Sequence, residues 1–211
     1  MFRDRIEAGQ QLAARLPAYR GAAATIVLGI PRGGLVVAGE IATSLGLPLG
    51  IAAVRKVGAP GNPELAIGAV DDETGQLLDN RLAERLGLGP DQLVRAAEVA
   101  RDRLRDWLTG VPGEWRRPEP GGTVILVDDG VATGYTAQVA VEAVRRRGAG
   151  RVVLAVPVAP LDTAAWLASQ VDEWVCLRTP DPFYAVGNFF DSWPQVTDDQ
   201  VRALLLAGNS M

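Results

Sequence analysis

Two adjacent carboxylates, Asp128 and Asp129, close an apolar run and are followed by Gly130, Ala132, Thr133, Gly134, Tyr135 and Thr136. That order of residue types suits a ligand carrying both hydroxyls and an anionic group. Carboxylates accept hydrogen bonds from vicinal hydroxyls, while threonine hydroxyls and the amides of a tight turn donate to phosphate oxygens. A ribose 5-phosphate has both groups. The preceding residues, Thr123 to Val127, are β-branched or apolar throughout, as in a strand buried on both faces, and Ala137 to Arg147 return to helical spacing. The carboxylates are therefore expected at the carboxyl end of a parallel strand, with a helix N-terminus turned toward the anion.

Positive charge is distributed unevenly by type. Of the 21 basic residues only Lys56 is a lysine, and a compact ammonium differs from a guanidinium in reach and hydration, so this position reads as a point-charge site. Lys56 follows a strand-like run, Leu49 to Arg55, and precedes a Gly- and Pro-rich loop from Val57 to Glu64, expected to act as a mobile lid. Nearer the N-terminus, Pro31-Arg32-Gly33-Gly34 lies between a strand, Thr25 to Ile30, and a helix, Leu35 to Leu45. Two glycines there let the backbone approach a ligand closely. It is not a Walker loop, since no Gly-Lys-Ser/Thr comes after it.

Histidine is absent, which excludes a Ser-His-Asp triad, a Cys-His pair and imidazole-ligated zinc. The single Cys176 excludes an internal disulfide and a cysteine metal cluster. Chemistry is left to carboxylates, cations, hydroxyls and backbone. The net charge of -4 argues against a large nucleic-acid surface, and Arg145-Arg146-Arg147 reads as the solvated, dipole-favoured end of a helix.

The elements that must position these residues alternate between strand and helix from Thr25 to Val175, the pattern of a parallel sheet with right-handed crossovers. Phe2 to Leu16 has helical spacing, Leu65 to Val70 reads as a short strand, and Asp71 to Gly75 as a turn between antiparallel strands. Asn80 to Leu86 and Asp91 to Leu108 read as two helices, the second exposed or facing a partner. Val111 to Gly122 reads as a loop, and Arg151 to Val158 as another buried strand. With 211 residues the chain suits one domain. No apolar run is long enough to span a membrane, and Met-Phe-Arg-Asp-Arg lacks a secretory pattern, so a cytoplasmic location with no membrane partner is expected.

The stretch Val124-Ile-Leu-Val-Asp-Asp-Gly-Val-Ala-Thr-Gly-Tyr-Thr136 resembles the phosphoribosyl pyrophosphate (PRPP) signature of type I phosphoribosyltransferases. Pro31-Arg32-Gly33-Gly34 resembles their pyrophosphate loop, most closely that of xanthine-guanine enzymes, which carry Arg-Gly-Gly-Leu-Val. The resemblance implies an α/β fold with a central, mainly parallel sheet flanked by helices, spanning 1–211 as one domain. Within it the core would cover about 22–178, a helical insertion about 76–121 and a small C-terminal hood about 179–211. It implies that Asp128 and Asp129 hold the ribose hydroxyls, that Gly130 and Ala132 to Thr136 wrap the 5-phosphate, and that Arg32, Gly33, Gly34 and Lys56 meet the pyrophosphate. The family often has a strained non-proline cis peptide in the pyrophosphate loop, so one is expected near Arg32.

The segment after Thr179 is expected to choose the acceptor. Phe183 and Tyr184 begin an aromatic-rich stretch that could stack on a flat heterocycle or close the lobe as a small aromatic core. By resemblance to 6-oxopurine enzymes, Phe183 covers the base, and Asp129 and Asp191 contact Mg²⁺, directly or through water. Where those enzymes carry a third Asp before Thr-Gly, this chain has Ala132, as adenine enzymes do, so the acceptor stays open. The implied activity is Mg²⁺-dependent transfer of phosphoribose from PRPP to a nitrogenous heterocycle, in nucleotide metabolism, by a homo-oligomer, expected as a dimer, that binds no nucleic acid. Two alternatives stand beside it: a PRPP- or nucleotide-sensing regulator, and a phosphoribosyl hydrolase or domain partner of another enzyme.

Overall fold

The computed structural model describes residues 1–111 and 118–208. In chain order its strands are β1 (Thr25–Gly29), β2 (Leu49–Ile51), β3 (Val54–Ala59), β4 (Asn62–Asp71), β5 (Gln76–Leu78), β6 (Thr123–Val127), β7 (Arg151–Val158) and β8 (Glu173–Arg178). The helices are α1 (Arg5–Ala13), α2 (Gly33–Leu45), α3 (Asn80–Arg85), α4 (Pro90–Thr109), α5 (Tyr135–Arg146), α6 (Leu161–Ala168) and α7 (Asp198–Gly208). Part of the expected Val111 to Gly122 loop, residues 112–117, lies outside the described residues.

Five strands form a wholly parallel sheet in the order β2-β1-β6-β7-β8, as the alternating pattern implies. Their side chains alternate between two cores, which is why the strands read as continuously apolar. Val27, Ile125, Val127 and Val153 face α1, α2 and α7, packing on Leu12, Ile41 and Val201. Ile26, Leu28, Val124, Leu126 and Leu154 face α5 and α6, packing on Val139, Val144 and Leu167. Each such side chain stabilises the fold by about 1.5–3 kcal/mol through burial. The helix expected from Phe2 starts later, where Asp4 caps α1 by accepting from the Glu7 N–H at 2.9 Å. Phe2 instead forms an extended bridge to Phe190.

A second sheet, β3-β4-β5, is antiparallel. Its presence corrects two expectations. The run Leu49 to Arg55 is not one strand: parallel pairing ends as the Ala52 N–H donates to Gly29 O, and Val54 then pairs antiparallel with Asp71. An apolar run carries no mark of a change in partner. The supposed lid loop, Val57 to Glu64, is a β-hairpin in which Ala59 pairs with Asn62 across Pro60 and Gly61, the latter at φ 82°. The Gly and Pro residues mark a tight turn rather than a long loop.

Helix α4 is not a free element either. Leu93, Ala97, Ala100 and Leu104 form a buried stripe at helical spacing, and the first three join Val57, Ile67 and Val70 in a third core beneath the hairpin. The Asp71–Gly75 turn, found where expected, is held by arginines from two helices. Fully buried Asp71 accepts through Oδ1 from the N–H groups of Glu73 at 3.0 Å and Gly75 at 2.7 Å. Its other oxygen pairs with Arg146. Arg147 pairs with Asp72 and Glu73, Arg145 with Asp172, and Arg105 of α4 donates to the Asp72 carbonyl. The Arg145–Arg147 run lies at the exposed end of α5, as expected, and is also an ion-paired clamp, because the acidic turn folds back onto Arg146 and Arg147.

Candidate functional site

Strands β1 and β6 are neighbours in register, with Gly29 opposite Val127, so the segments leaving their carboxyl ends emerge side by side. From here β1 leads through α2 to β2 on one flank, and β6 leads through α5 to β7 on the other. This is the topological switch point at which open α/β sheets form a crevice for ligands. Asp128 and Asp129 leave β6 there, and Pro31 to Gly34 leave β1. A Cβ at Gly34 would lie 2.7 Å from the Val127 carbonyl oxygen and 2.9 Å from Asp128 Cα. One at Gly33 would overlap the Asp129 carboxylate. Both glycines are therefore required for the loop to touch the carboxylates. The cis peptide expected near Arg32 is present, between Pro31 and Arg32.

The two carboxylates have different partners. Asp128 Oδ1 accepts from the Asp129 N–H at 2.8 Å. Asp129 Oδ2 accepts from Arg5 Nε at 2.7 Å. Arg5, only 8% exposed, lies 3.5 Å from the centre of the Trp193 ring and donates through Nη1 to the Pro194 carbonyl at 2.8 Å. Burial pushes the Asp128 carboxyl well above the usual range, and the Asp129 charge beside it adds to that shift. Burial also raises Asp129, but Arg5 holds that rise back. Sequence reasoning missed Arg5. The one local signal was a cation in the first turn of a helix, where the dipole favours an acid.

Beyond the carboxylates, the Gly130–Thr136 turn opens α5. Gly134 has φ 83°, and a Cβ there would come within 2.6 Å of Trp166 Cζ3 on α6, so only glycine fits. Thr163 Oγ1 donates to the Ala132 carbonyl at 2.9 Å and steadies the turn from the same side. Ala132 and Thr133 are exposed and Thr136 is half-buried. The Tyr135 hydroxyl donates to Asp79, the residue capping α3. Burial first, and Asp79 second, push the phenol up to about 12. What Tyr135 can offer a phosphate is consequently its backbone N–H.

Arg32 and Lys56 line one cleft of about 930 Å³ between α4 and the β3–β4 hairpin. Arg32 Nε pairs with Asp198 at 3.0 Å, and Trp107 Nε1 donates to the same oxygen at 2.6 Å. Both partners of the ion pair are roughly two-fifths exposed, so the pair contributes about 0–1 kcal/mol and can exchange for a ligand anion. In the hood, Phe183 packs on Phe189 with ring centres 5.3 Å apart, and both join the cluster of Phe2, Val158 and Phe190. Those contacts are the small aromatic core, whereas Tyr184 stands in solvent at 80% exposure. Val186 closes against Gly130. The Asp191 N–H donates to the Phe2 carbonyl at 2.8 Å. Among the described residues no three carboxylate or cysteine side chains gather as a metal site. Asp129 has Arg5 as its partner.

The family pattern described as "Phosphoribosyl transferase domain" matches residues 4–186. The chain is 42% identical over 208 residues to "Putative phosphoribosyl transferase Rv0571c" of Mycobacterium tuberculosis strain H37Rv, with the same figures for "Putative phosphoribosyl transferase MT0597" of strain CDC 1551. These matches take in 97% of this chain and 46% of each relative, so the chain spans about half the length of the curated relatives it matches. The crystal structure of TT1426 from Thermus thermophilus is 42% identical, covers 98% of both chains and superposes with a TM-score of 0.75. No helix among the described residues is long and apolar enough to cross a membrane. With the family pattern running from the first helix to the hood, through both loops of the crevice, this chain belongs to the phosphoribosyl transferase family.

Proposed function

We propose that the chain binds PRPP at the β1–β6 crevice and transfers its 5-phosphoribosyl group to a ring nitrogen of a heterocyclic acceptor, a nucleobase or a relative of one. The observation that carries this reading is the meeting of three features at one switch point. These are the Asp128–Asp129 pair, the helix-opening turn that ends in Thr136, and the glycine loop pressed against the carboxylates. In the reaction a nitrogen lone pair forms a bond to the ribose anomeric carbon. The bond from that carbon to the diphosphate oxygen breaks, its electron pair leaves with the diphosphate, and where the attacking nitrogen carries a proton, that proton passes to water.

Asp128 and Asp129 would accept from the ribose hydroxyls and steady the ring as it becomes cationic. The turn's amides with Thr133 and Thr136 would hold the 5-phosphate, and Arg32, Lys56 and the amides of Gly33 and Gly34 the departing diphosphate. Mg²⁺, where present, would ride on the ligand's own phosphate oxygens, and no step is assigned to it.

The test is a pyrophosphate-release assay with PRPP, Mg²⁺ and a panel of heterocycles. Release that requires one acceptor, and is abolished in Lys56→Ala, supports transfer. Release without any acceptor would indicate a hydrolase. Saturable PRPP binding with no release across the panel would favour a sensing protein.

A further inference from the structure

The cleft beside the proposed diphosphate contacts holds more positive charge than those contacts use. Besides Arg32 and Lys56, it is lined by Arg55 of β3 and by Arg95 and Arg103 of α4, and no carboxylate stands among its described lining residues. Five cations on one concave wall stand out in a chain whose net charge is -4. Within the cleft Arg32 is matched to Asp198, as Arg146, Arg147 and Arg151 are matched to Asp71, Asp72 and Glu173 elsewhere. Among the described residues, neither Arg55 nor Arg103 has a hydrogen bond or ion pair. Arg55 is half-buried, and its guanidinium is pushed below its usual range by that burial and then by Arg32 and Arg103, with Asp198 opposing. Like charges held together at such a wall are relieved by a bound anion.

The rest of the wall is apolar and partly flat. Pro60, Pro63, Val99 and Trp107 line the same space, whose volume of about 930 Å³ lies within the ordinary range for small-molecule sites. A diphosphate uses neither this volume nor these faces. We infer that the acceptor is a planar ring bearing its own anionic group, a carboxylate or a phosphate, held by Arg55 and Arg103 while the ring lies against the apolar wall. This rests on the transfer reading and names the acceptor class within it.

Calorimetric titration of the full chain with ring-matched pairs tests the inference. The carboxylate arm is nicotinate against nicotinamide, and the phosphate arm, free of ribose, is pyridoxine 5′-phosphate against pyridoxine, each with and without saturating pyrophosphate and Mg²⁺. In at least one arm the anionic member should bind about tenfold or more tightly than its neutral partner. Arg55→Gln and Arg103→Gln should each erase most of that preference while leaving PRPP affinity within about twofold; these side chains are half-buried and exposed, so both variants should fold. Equal binding within both pairs, including none, would overturn the inference. So would a preference that survives in both variants, or a matching loss of PRPP affinity, which would assign the two arginines to the diphosphate. Wild-type PRPP affinity, measured alongside, reports on the transfer reading independently.

Discussion

Asp128 and Asp129 are adjacent in the chain but do not share an environment, and the same substitution should act on them with opposite sign. The folded pKa of Asp128 lies above its unfolded value of about 3.9. Its contribution to stability is therefore present below that value and lost as pH rises through the folded one. Above the folded pKa the charge on this half-buried carboxyl is destabilising. Asp128→Asn keeps an oxygen for the Asp129 N–H, so it should raise the melting temperature by a few degrees while weakening PRPP binding at least about tenfold. Asp129→Asn strips buried Arg5 of its carboxylate and should cost about 3 kcal/mol, roughly 6–12 °C in a thermal melt for a chain of this size. Two shifts of the same sign would contradict the assigned partners. Hydroxyl recognition needs the ionised pair, so PRPP affinity should fall on acidification at a pH above that of an ordinary carboxylate. Pyrophosphate, which has no hydroxyls, serves as the control. The carboxylates and Gly33–Gly34 were legible because their signal is local. Arg5 was not, because its partner lies 124 positions away.

At the scale of elements, the antiparallel hairpin and α4 build the wall on which the cleft depends, and Asp71 is their anchor. Asp71→Ala removes the acceptor for two turn N–H groups as well as the partner of Arg146, and should cost about 2–3 kcal/mol. Asp71→Asn keeps that acceptor and loses only the pairing with Arg146, which is 39% exposed, so about 1 kcal/mol is expected. Equal losses in chemical denaturation would mean that the turn is not held as described. The sequence showed where helices and turns lie: the expected Asn80–Leu86 and Asp91–Leu108 helices appear as Asn80–Arg85 and Pro90–Thr109. It did not show the partners. Leu49 to Arg55 crosses from one sheet to another within a uniform apolar run, and Arg145–Arg147, rightly read as a helix end, carries no mark of the acidic turn it clamps. Hydrophobic period reports burial and its face, while pairing depends on residues far along the chain.

For the molecule as a whole, a five-stranded parallel sheet places two loops at one switch point, and the helices on its faces fix their spacing. The fold class was legible because β1, β6 and β7 are apolar on both faces and each is followed by a helix or turn signal. The second sheet was less so, since its Gly and Pro residues resemble those of a loop. The family match supports PRPP as the donor, and the acceptor rests on the chemistry of the cleft. The measurement that bears most directly on this is a thermal-shift titration of the wild-type chain with PRPP and Mg²⁺, beside Asp128→Asn. At 100 times its dissociation constant a ligand stabilises by about 2.7 kcal/mol, or roughly 5–10 °C here. A saturable rise of that size, cut by half or more in Asp128→Asn at the same PRPP concentration, is the expected result. No shift of the wild type at millimolar PRPP, or an equal shift in both proteins, would contradict the crevice as a phosphoribosyl site.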